Sequence, residues 1–477
     1  MPQQLIGRRA EVNALHQYIN SGKSEFIAVY GRRRVGKTFL IRKAFDDKFA
    51  FTITGVYNAP KQEQLTNFAI ALKRHTRQER LIVPKNWLLA FYELSQYIET
   101  LPDGNKIIFI DEMPWMDSAK SGFIAALENF WNGWASMRND VKLIVCGSAT
   151  SWMISNLISS KGGLHNRLSH HLVVNPFTLG ECEEYFKAYK FRYSRKQIAE
   201  CYMAMGGIPY YLSLMERSKS VAQNIDSLFF AQNAPLRNEF NDLYKALFKN
   251  ASPHIAIVTA MAAKGSGLTR KELLAATHLA DNGAFSTQIE ELELCGLIRS
   301  YEPFGKDKPR GKRQKSETVF QLTDFYTLFF FKFVQGNRFH DEHFWTSSMN
   351  SPTHATWSGL AFEMLCLAHL PQIKHALGIA GVQTNALSWH GKNAQIDLVI
   401  DRKDDTINIC EMKYAKNKFE INKDYETRLE NKIEEFIKET ATKKTLILTF
   451  ITTNGVKLNA HSSIVQSEIT LDALFHP

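Results

Sequence analysis

The sequence has no two cysteines close enough together to hold zinc or to act as a redox pair. Its six cysteines, Cys146, Cys182, Cys201, Cys295, Cys366 and Cys410, are scattered, mostly through apolar stretches, and read as buried thiols of a reducing compartment. Long apolar runs are also missing. The longest, Phe325 to Val334, is interrupted by Lys332 and is about half the length needed to cross a bilayer, so no membrane association is expected. The segment Met1 to Arg9 lacks the apolar core of an export signal, and the expectation is a cytoplasmic location. No internal repeat or low-complexity tract is present. With 44% hydrophobic and 22% charged residues the composition is that of a folded globular chain, which excludes disordered, collagen-like and membrane-embedded classes.

What the chain has in excess is positive charge, +10 over 477 residues. Such an excess favours a polyanionic partner, nucleic acid or an acidic membrane surface, wherever it is clustered. The length exceeds what one hydrophobic core supports, so several domains are expected.

The first third carries the clearest chemistry. Phe26 to Tyr30 is a short apolar run that reads as a buried parallel strand, and it leads directly into Gly31-Arg32-Arg33-Arg34-Val35-Gly36-Lys37-Thr38. Phe39 to Phe45 then takes helical spacing. Strand, glycine-containing loop and helix in this order form a phosphate cradle: Gly31 and Gly36 let backbone N–H groups turn inward, and the helix start adds its positive dipole end. Lys37 is placed to reach the β and γ phosphates of ATP and Thr38 to hold Mg²⁺. Arg32, Arg33 and Arg34 have two readings, phosphate contacts or a solvated cationic loop.

Lys106 to Ile110 is a second apolar strand that ends in Asp111 and Glu112, and it is expected beside the strand before the loop. Asp111 would complete the Mg²⁺ shell and Glu112 would polarise the attacking water. Lys142 to Gly147 is a third strand. It ends at Ser148, which is either a sensor of the γ-phosphate or a helix cap.

The segment Gly7-Arg8-Arg9 with Glu11, the phosphate loop, Phe109-Ile110-Asp111-Glu112 and Cys146-Gly147-Ser148 together resemble the archaeal-type branch of AAA+ ATPases, P-loop proteins of the AAA/STAND kind. The resemblance spans about residues 1–240. It implies an α/β core with a five-stranded parallel sheet, then a helical lid containing Met205-Gly206-Gly207-Ile208-Pro209-Tyr210. It also makes Arg167, in Gly162-Gly163-Leu164-His165-Asn166-Arg167, a candidate arginine finger, although its spacing departs from the family pattern. A finger acting in trans would require a homo-oligomer.

From about residue 250 three short helices (255–264, 268–274 and 285–294) precede two strands, 297–301 and 319–322, a pattern that predicts a winged helix-turn-helix. The hairpin tip from Gly305 to Lys315 holds six basic residues, suited to a phosphate backbone, to a docked protein or simply to solvent. Gln288, Glu290, Glu291 and Glu293 make the third helix acidic, which argues against deep insertion into a major groove.

The last third sets Glu363 in a helical apolar segment, 357–367. The strands 395–400 and 407–413 then flank a polar turn. Glu411 and Lys413 share one strand face, and Asp397 can sit beside them across the hairpin. Two carboxylates and a lysine suit a divalent cation held by Asp397 and Glu411, with Lys413 orienting a water. The same residues also fit a strand hairpin with ordinary surface carboxylates. This region resembles the PD-(D/E)XK nuclease fold, and the combination with the upstream ATPase resembles proteins that carry the uncharacterised DUF234 domain. The resemblance implies Glu363, Asp397, Glu411 and Lys413 as nuclease residues, with Gln395 as an accessory.

The expected organisation is therefore a P-loop core (1–180), a helical lid (181–248), a winged helix (249–335) and an α/β nuclease-like domain (336–477). The expected activity is ATP binding and hydrolysis coupled to action on DNA, with ATP and Mg²⁺ as cofactors. The alternative is a nucleotide-switched signalling or DNA-binding protein whose last domain recognises without cutting.

Overall fold

The computed structural model describes residues 4–76, 80–158, 164, 166–248, 250–265, 267–305, 318–337 and 341–476. The basic hairpin tip from Lys306 to Lys315, together with Gly162, Gly163 and His165, lies outside the described residues. The chain divides into two compact units, residues 1–176 with 245–249 and residues 177–244 with 250–477. The segment expected as a lid, 181–248, thus groups mostly with the second unit.

The first unit is built on a wholly parallel sheet of β1 (Glu25–Tyr30), β2 (Phe51–Thr54), β3 (Lys106–Asp111), β4 (Val141–Gly147) and β5 (His170–Val173), in the order β2-β3-β4-β1-β5. The three central strands β1, β3 and β4 are buried along their whole length, as apolar strands covered by helices on both faces must be. Phe51, Phe68, Trp87, Phe91 and Phe123 form an aromatic core between the sheet and the helices Lys61–Thr76, Trp87–Glu99 and Phe123–Gly133.

The strand order corrects one expectation. β3 is not the neighbour of the loop strand, because β4 lies between them, paired in parallel with both. Three similar apolar runs carry no information about their lateral order. Gly147 at the end of β4 permits this packing, since a Cβ there would lie 2.7 Å from the Pro114 ring.

In the second unit the helices Leu179–Ala188 and Arg195–Met205 each begin with a reciprocal capping box, Thr178 with Glu181 and Ser194 with Gln197. Gly207 accommodates a close backbone crossing: its carbonyl accepts from Phe177 N–H at 2.6 Å, and a Cβ would fall 2.0 Å from the Phe177 oxygen. The apolar run 325–334 is a buried helix, Phe325–Phe329, that widens into a π turn over Phe330–Val334, with Phe329 against Phe229 and Trp345. No helix among the described residues is long and apolar enough to cross a membrane. All six cysteines are buried and unbridged.

Helices Ser252–Ala263, Arg270–Thr277 and Gly283–Leu294 accompany a small antiparallel sheet of β6 (Leu268–Thr269), which lies between the first two helices, β7 (Ile298–Tyr301) and β8 (Val319–Leu322), ordered β6-β8-β7. Glu291, one of the acidic residues of the third helix, bonds His254 at 2.8 Å. The last sheet runs β13-β12-β11-β10-β9, comprising β9 (Thr384–His390), β10 (Gln395–Arg402), β11 (Thr406–Lys413), β12 (Thr445–Thr452) and β13 (Ser467–Thr470). β9, β10 and β11 form an antiparallel meander, whereas β11, β12 and β13 are parallel. The helix Lys423–Thr440 makes the crossover between β11 and β12 that a parallel pair requires. The two sheets of this unit meet where Phe304 N–H donates to Ser388 O at 2.5 Å.

Candidate nucleotide site and a second charged site

The phosphate loop leaves β1 at Gly31, whose φ of +145° and backbone contact exclude a side chain: a Cβ would lie 2.3 Å from Val174 O. Arg34 and Gly36 are also left-handed, with φ of 71° and 87°, and the helix Lys37–Ala44 begins immediately after them. Arg32 is buried, and Arg33 and Arg34 are half-buried. Buried Arg8 donates to Val35 O at 3.2 Å and pairs with Glu11 at 3.2 Å, so the segment before the first helix braces the loop.

The ends of three strands converge here. Lys37 Nζ, itself buried, donates to Gly31 O at 2.9 Å, Arg32 O at 3.0 Å and Ser148 Oγ at 3.3 Å. Thr38 Oγ1 lies 3.1 and 3.0 Å from the two Asp111 carboxylate oxygens. Burial pushes the Asp111 carboxyl up, and so does neighbouring Glu112, while hydrogen bonds from Thr38 and Cys146 partly offset them. A divalent cation would supply the missing positive charge, and a hydroxyl beside a carboxylate is the donor set Mg²⁺ takes. Glu112 sits in a left-handed conformation, φ 45°, and receives Ser148 Oγ at 2.6 Å and Ser148 N–H at 3.1 Å. Ser148 is therefore not a helix cap. Its hydroxyl connects Lys37 to Glu112, and the following helix starts from Ala149 without a side-chain cap. Arg167 is exposed in the turn before β5 and takes no part in these described contacts.

The second site lies at one end of the last sheet. Glu411 and Lys413 share a face of β11, as strand alternation requires, and pair at 2.8 Å. Lys432 Nζ reaches the other Glu411 oxygen at 2.8 Å, and Tyr425 OH donates to Glu411 at 2.8 Å. Burial pushes the Glu411 carboxyl up, but the two lysines outweigh it and leave it below its ordinary value. Lys413 is pushed down by burial and raised further by Glu411 and Tyr425, ending well above the usual lysine range.

Asp397 sits where the β10 register against β9 slips by one residue, a bulge of the kind that re-aims a side chain. Gln395 Nε2 donates to it at 3.3 Å. Burial and Glu411 raise Asp397. Glu363, from the helix Pro352–Ala368, is raised to about 7 by burial and by Asp397, with Glu411 adding to the rise. The four residues expected together are thus brought into one electrostatic cluster. Among the described residues, however, no three Asp, Glu, His or Cys side chains gather closely enough to hold a metal ion. Both Glu411 oxygens are held by lysine, and Glu411 would have to exchange a lysine for a cation to become a ligand.

The sequence reading missed Lys432 and Tyr425, although their spacing of seven along an amphipathic helix places them on one face, a signal that was available. It also missed Arg8 as a brace for the loop. Only contact with the Val35 carbonyl reveals that role.

Residues 5–215 match the family described as an ATPase domain predominantly from Archaea. An uncharacterized protein of Methanocaldococcus jannaschii is 27% identical over 258 residues, 54% of this chain and 54% of that protein, so the chain spans about half the length of this relative. An uncharacterized ATP-binding protein of the same archaeon is 44% identical over 43 residues, 9% of this chain and 73% of that protein. Among solved structures, a Walker-type ATPase of Pyrococcus abyssi superposes with a TM-score of 0.48 at 16% identity, over 69% of this chain and 96% of that one. With the loop geometry and this family match, residues 5–215 carry a P-loop ATPase domain.

Proposed function

We propose that the ATPase acts on DNA and that its nucleotide state governs a metal-dependent phosphodiesterase at Glu363, Asp397, Glu411 and Lys413. The observation that carries this reading is the placement of Asp397, Glu411 and Lys413 on adjacent strands at one end of a mixed sheet, with Glu363 electrostatically coupled to them, in the unit that also holds the helices Ser252–Ala263, Arg270–Thr277 and Gly283–Leu294 and a small antiparallel sheet. Those helices and that sheet support a winged-helix reading, and the basic residues of the sequence between β7 and β8 carry charge that a DNA backbone would attract.

In the nucleotide site, Lys37 would neutralise the β and γ phosphates of a bound ATP, Thr38 and Asp111 would hold Mg²⁺, and Glu112 would orient the attacking water. The Ser148 bridge couples Glu112 to Lys37, so a ligand that draws Lys37 toward phosphate also frees the base. Arg167 is assigned to a neighbouring subunit's nucleotide, in a homo-oligomer. In the second site Asp397, and Glu411 once a lysine has released it, would hold a divalent cation that would supply Lewis-acid activation, while Lys413 would stabilise the developing charge. Phosphate release measured with and without duplex DNA tests the coupling. Stimulation by DNA that is lost in Lys37→Ala supports it, and turnover indifferent to DNA counts against it.

The two-lysine clasp on Glu411 favours a second reading, in which the last domain recognises nucleic acid without cutting it. Binding without nicking would select that reading.

A further inference from the structure

A small cleft of about 110 Å³ has Glu363, Gln395 and Asp397 on one side and Arg299, Tyr301 and Gln321 on the other. The first three belong to the carboxylate site. The other three come from β7 and β8, the small sheet of the preceding domain. The wall they form is not incidental to the chain path, since β7 continues through Pro303 and Phe304 onto β9, with Phe304 packed on Phe436 at 5.2 Å.

Arg299 is held rigidly but left electrostatically incomplete. Its Nε and Nη2 both donate to Gln321 Oε1, at 3.0 and 2.6 Å, while Gln321 Nε2 is anchored on Gly265 O at 2.9 Å. Its guanidinium lies over the Tyr301 ring, 4.9 Å from the centroid. A neutral amide thus takes one edge of the fork, and among the described residues no carboxylate comes within ion-pair distance. Burial pushes the guanidinium below its ordinary value, and Asp397 is near enough to be felt without being bonded. A pre-oriented, partly desolvated guanidinium with a free edge is suited to a planar pair of anionic oxygens. The neighbouring carboxylates repel a free carboxylate ligand. A phosphodiester, also an anion, would need a cation between it and Asp397 to approach Arg299.

We infer that Arg299, positioned by Gln321 and Tyr301, binds the scissile or adjacent phosphate of a DNA strand, so that the small sheet completes the carboxylate site. The inference rests on the phosphodiesterase reading above. It adds a phosphate-binding residue from another domain, and it makes Gln321 a positioning residue.

The test uses the full chain with ADP present to fill the nucleotide site. A short labelled DNA oligonucleotide is bound in Ca²⁺, and its cleavage is followed in Mn²⁺. Arg299→Gln is expected to weaken binding and raise KM by about 10- to 100-fold, the range of one lost charge-assisted hydrogen bond. Gln321→Glu, which keeps the arginine and pairs it internally while giving up the bond to Gly265 O, should do the same with a circular-dichroism spectrum like that of wild type, so a misfolded Arg299→Gln would not decide the matter. Arg299→Lys should recover part of the loss. Unchanged binding and KM in both variants, while Lys413→Ala abolishes cleavage, overturns the role of Arg299 and leaves the phosphodiesterase reading standing. Arg299-dependent binding without cleavage by the wild type overturns the phosphodiesterase reading and leaves a phosphate site. Absence of any Arg299-dependent binding overturns the inference.

Discussion

Asp111, Glu112 and Ser148 sit at or just beyond the ends of buried strands, and Lys37 and Thr38 open the helix that follows the loop, so that a fixed backbone presents all five to one point. That is why this site was legible in the sequence: the apolar runs locate the strand ends, and the residue types there state the chemistry. Lys37→Ala is expected to lower ATP turnover by about 100-fold or more, through loss of phosphate neutralisation. Glu112→Gln keeps the shape but removes the base. It should retain nucleotide binding while turnover falls by roughly 10²- to 10⁴-fold, as read by nucleotide titration beside phosphate release. Gly31→Ala should cost more than about 1 kcal/mol of stability, because its φ is left-handed and its Cβ meets the Val174 carbonyl. A melting temperature equal to wild type would show that the loop is laid out differently.

Elements were legible in proportion to their burial. The runs that became β1, β3, β4, β10, β11 and β12 stand out as apolar segments, whereas β2, β5 and β13 are short, half-exposed strands of four residues with little local signal. Lateral order escaped the sequence because it is set by tertiary packing.

One contact between elements has a pH signature. His369, buried at the end of the helix Pro352–Ala368, donates from Nδ1 to Leu365 O at 2.9 Å and accepts Leu179 N–H at Nε2, also at 2.9 Å. Burial pushes it down to about 4, so it is neutral in the fold. The unfolded chain takes up this proton near pH 6.5 and the folded chain only near pH 4. The contribution is therefore whole above about 6.5 and is lost as pH falls through that window, by roughly 3 kcal/mol in all. Thermal unfolding of the wild type should weaken over that range more steeply than that of His369→Gln, and parallel slopes would contradict the assignment. The crossover helix makes a different prediction. Lys432→Met removes one cation from Glu411 and should tighten Mn²⁺ binding by about ten-fold, given the strength of charge repulsion at a partly buried site. Titration with Mn²⁺ in the absence of nucleotide reads this directly, and weaker binding would mean Lys432 supports the site and does not block it.

At the scale of the whole molecule, a P-loop ATPase unit is followed by a second unit in which a small sheet and a carboxylate-bearing sheet share a cleft. The two constellations were legible as separate motifs. That Arg299 and Asp397 line one cleft was not legible, because they are far apart in sequence and tertiary packing alone brings them near each other. The proposed control of a phosphodiesterase by nucleotide is tested most directly by nicking of supercoiled DNA in Mg²⁺ or Mn²⁺, with and without ATP, by the wild type, Lys413→Ala and Lys37→Ala. Nicking is expected that Lys413→Ala abolishes and that responds to ATP only when Lys37 is intact. DNA that stays supercoiled under every condition while still bound, or nicking equal in all three proteins, would contradict it.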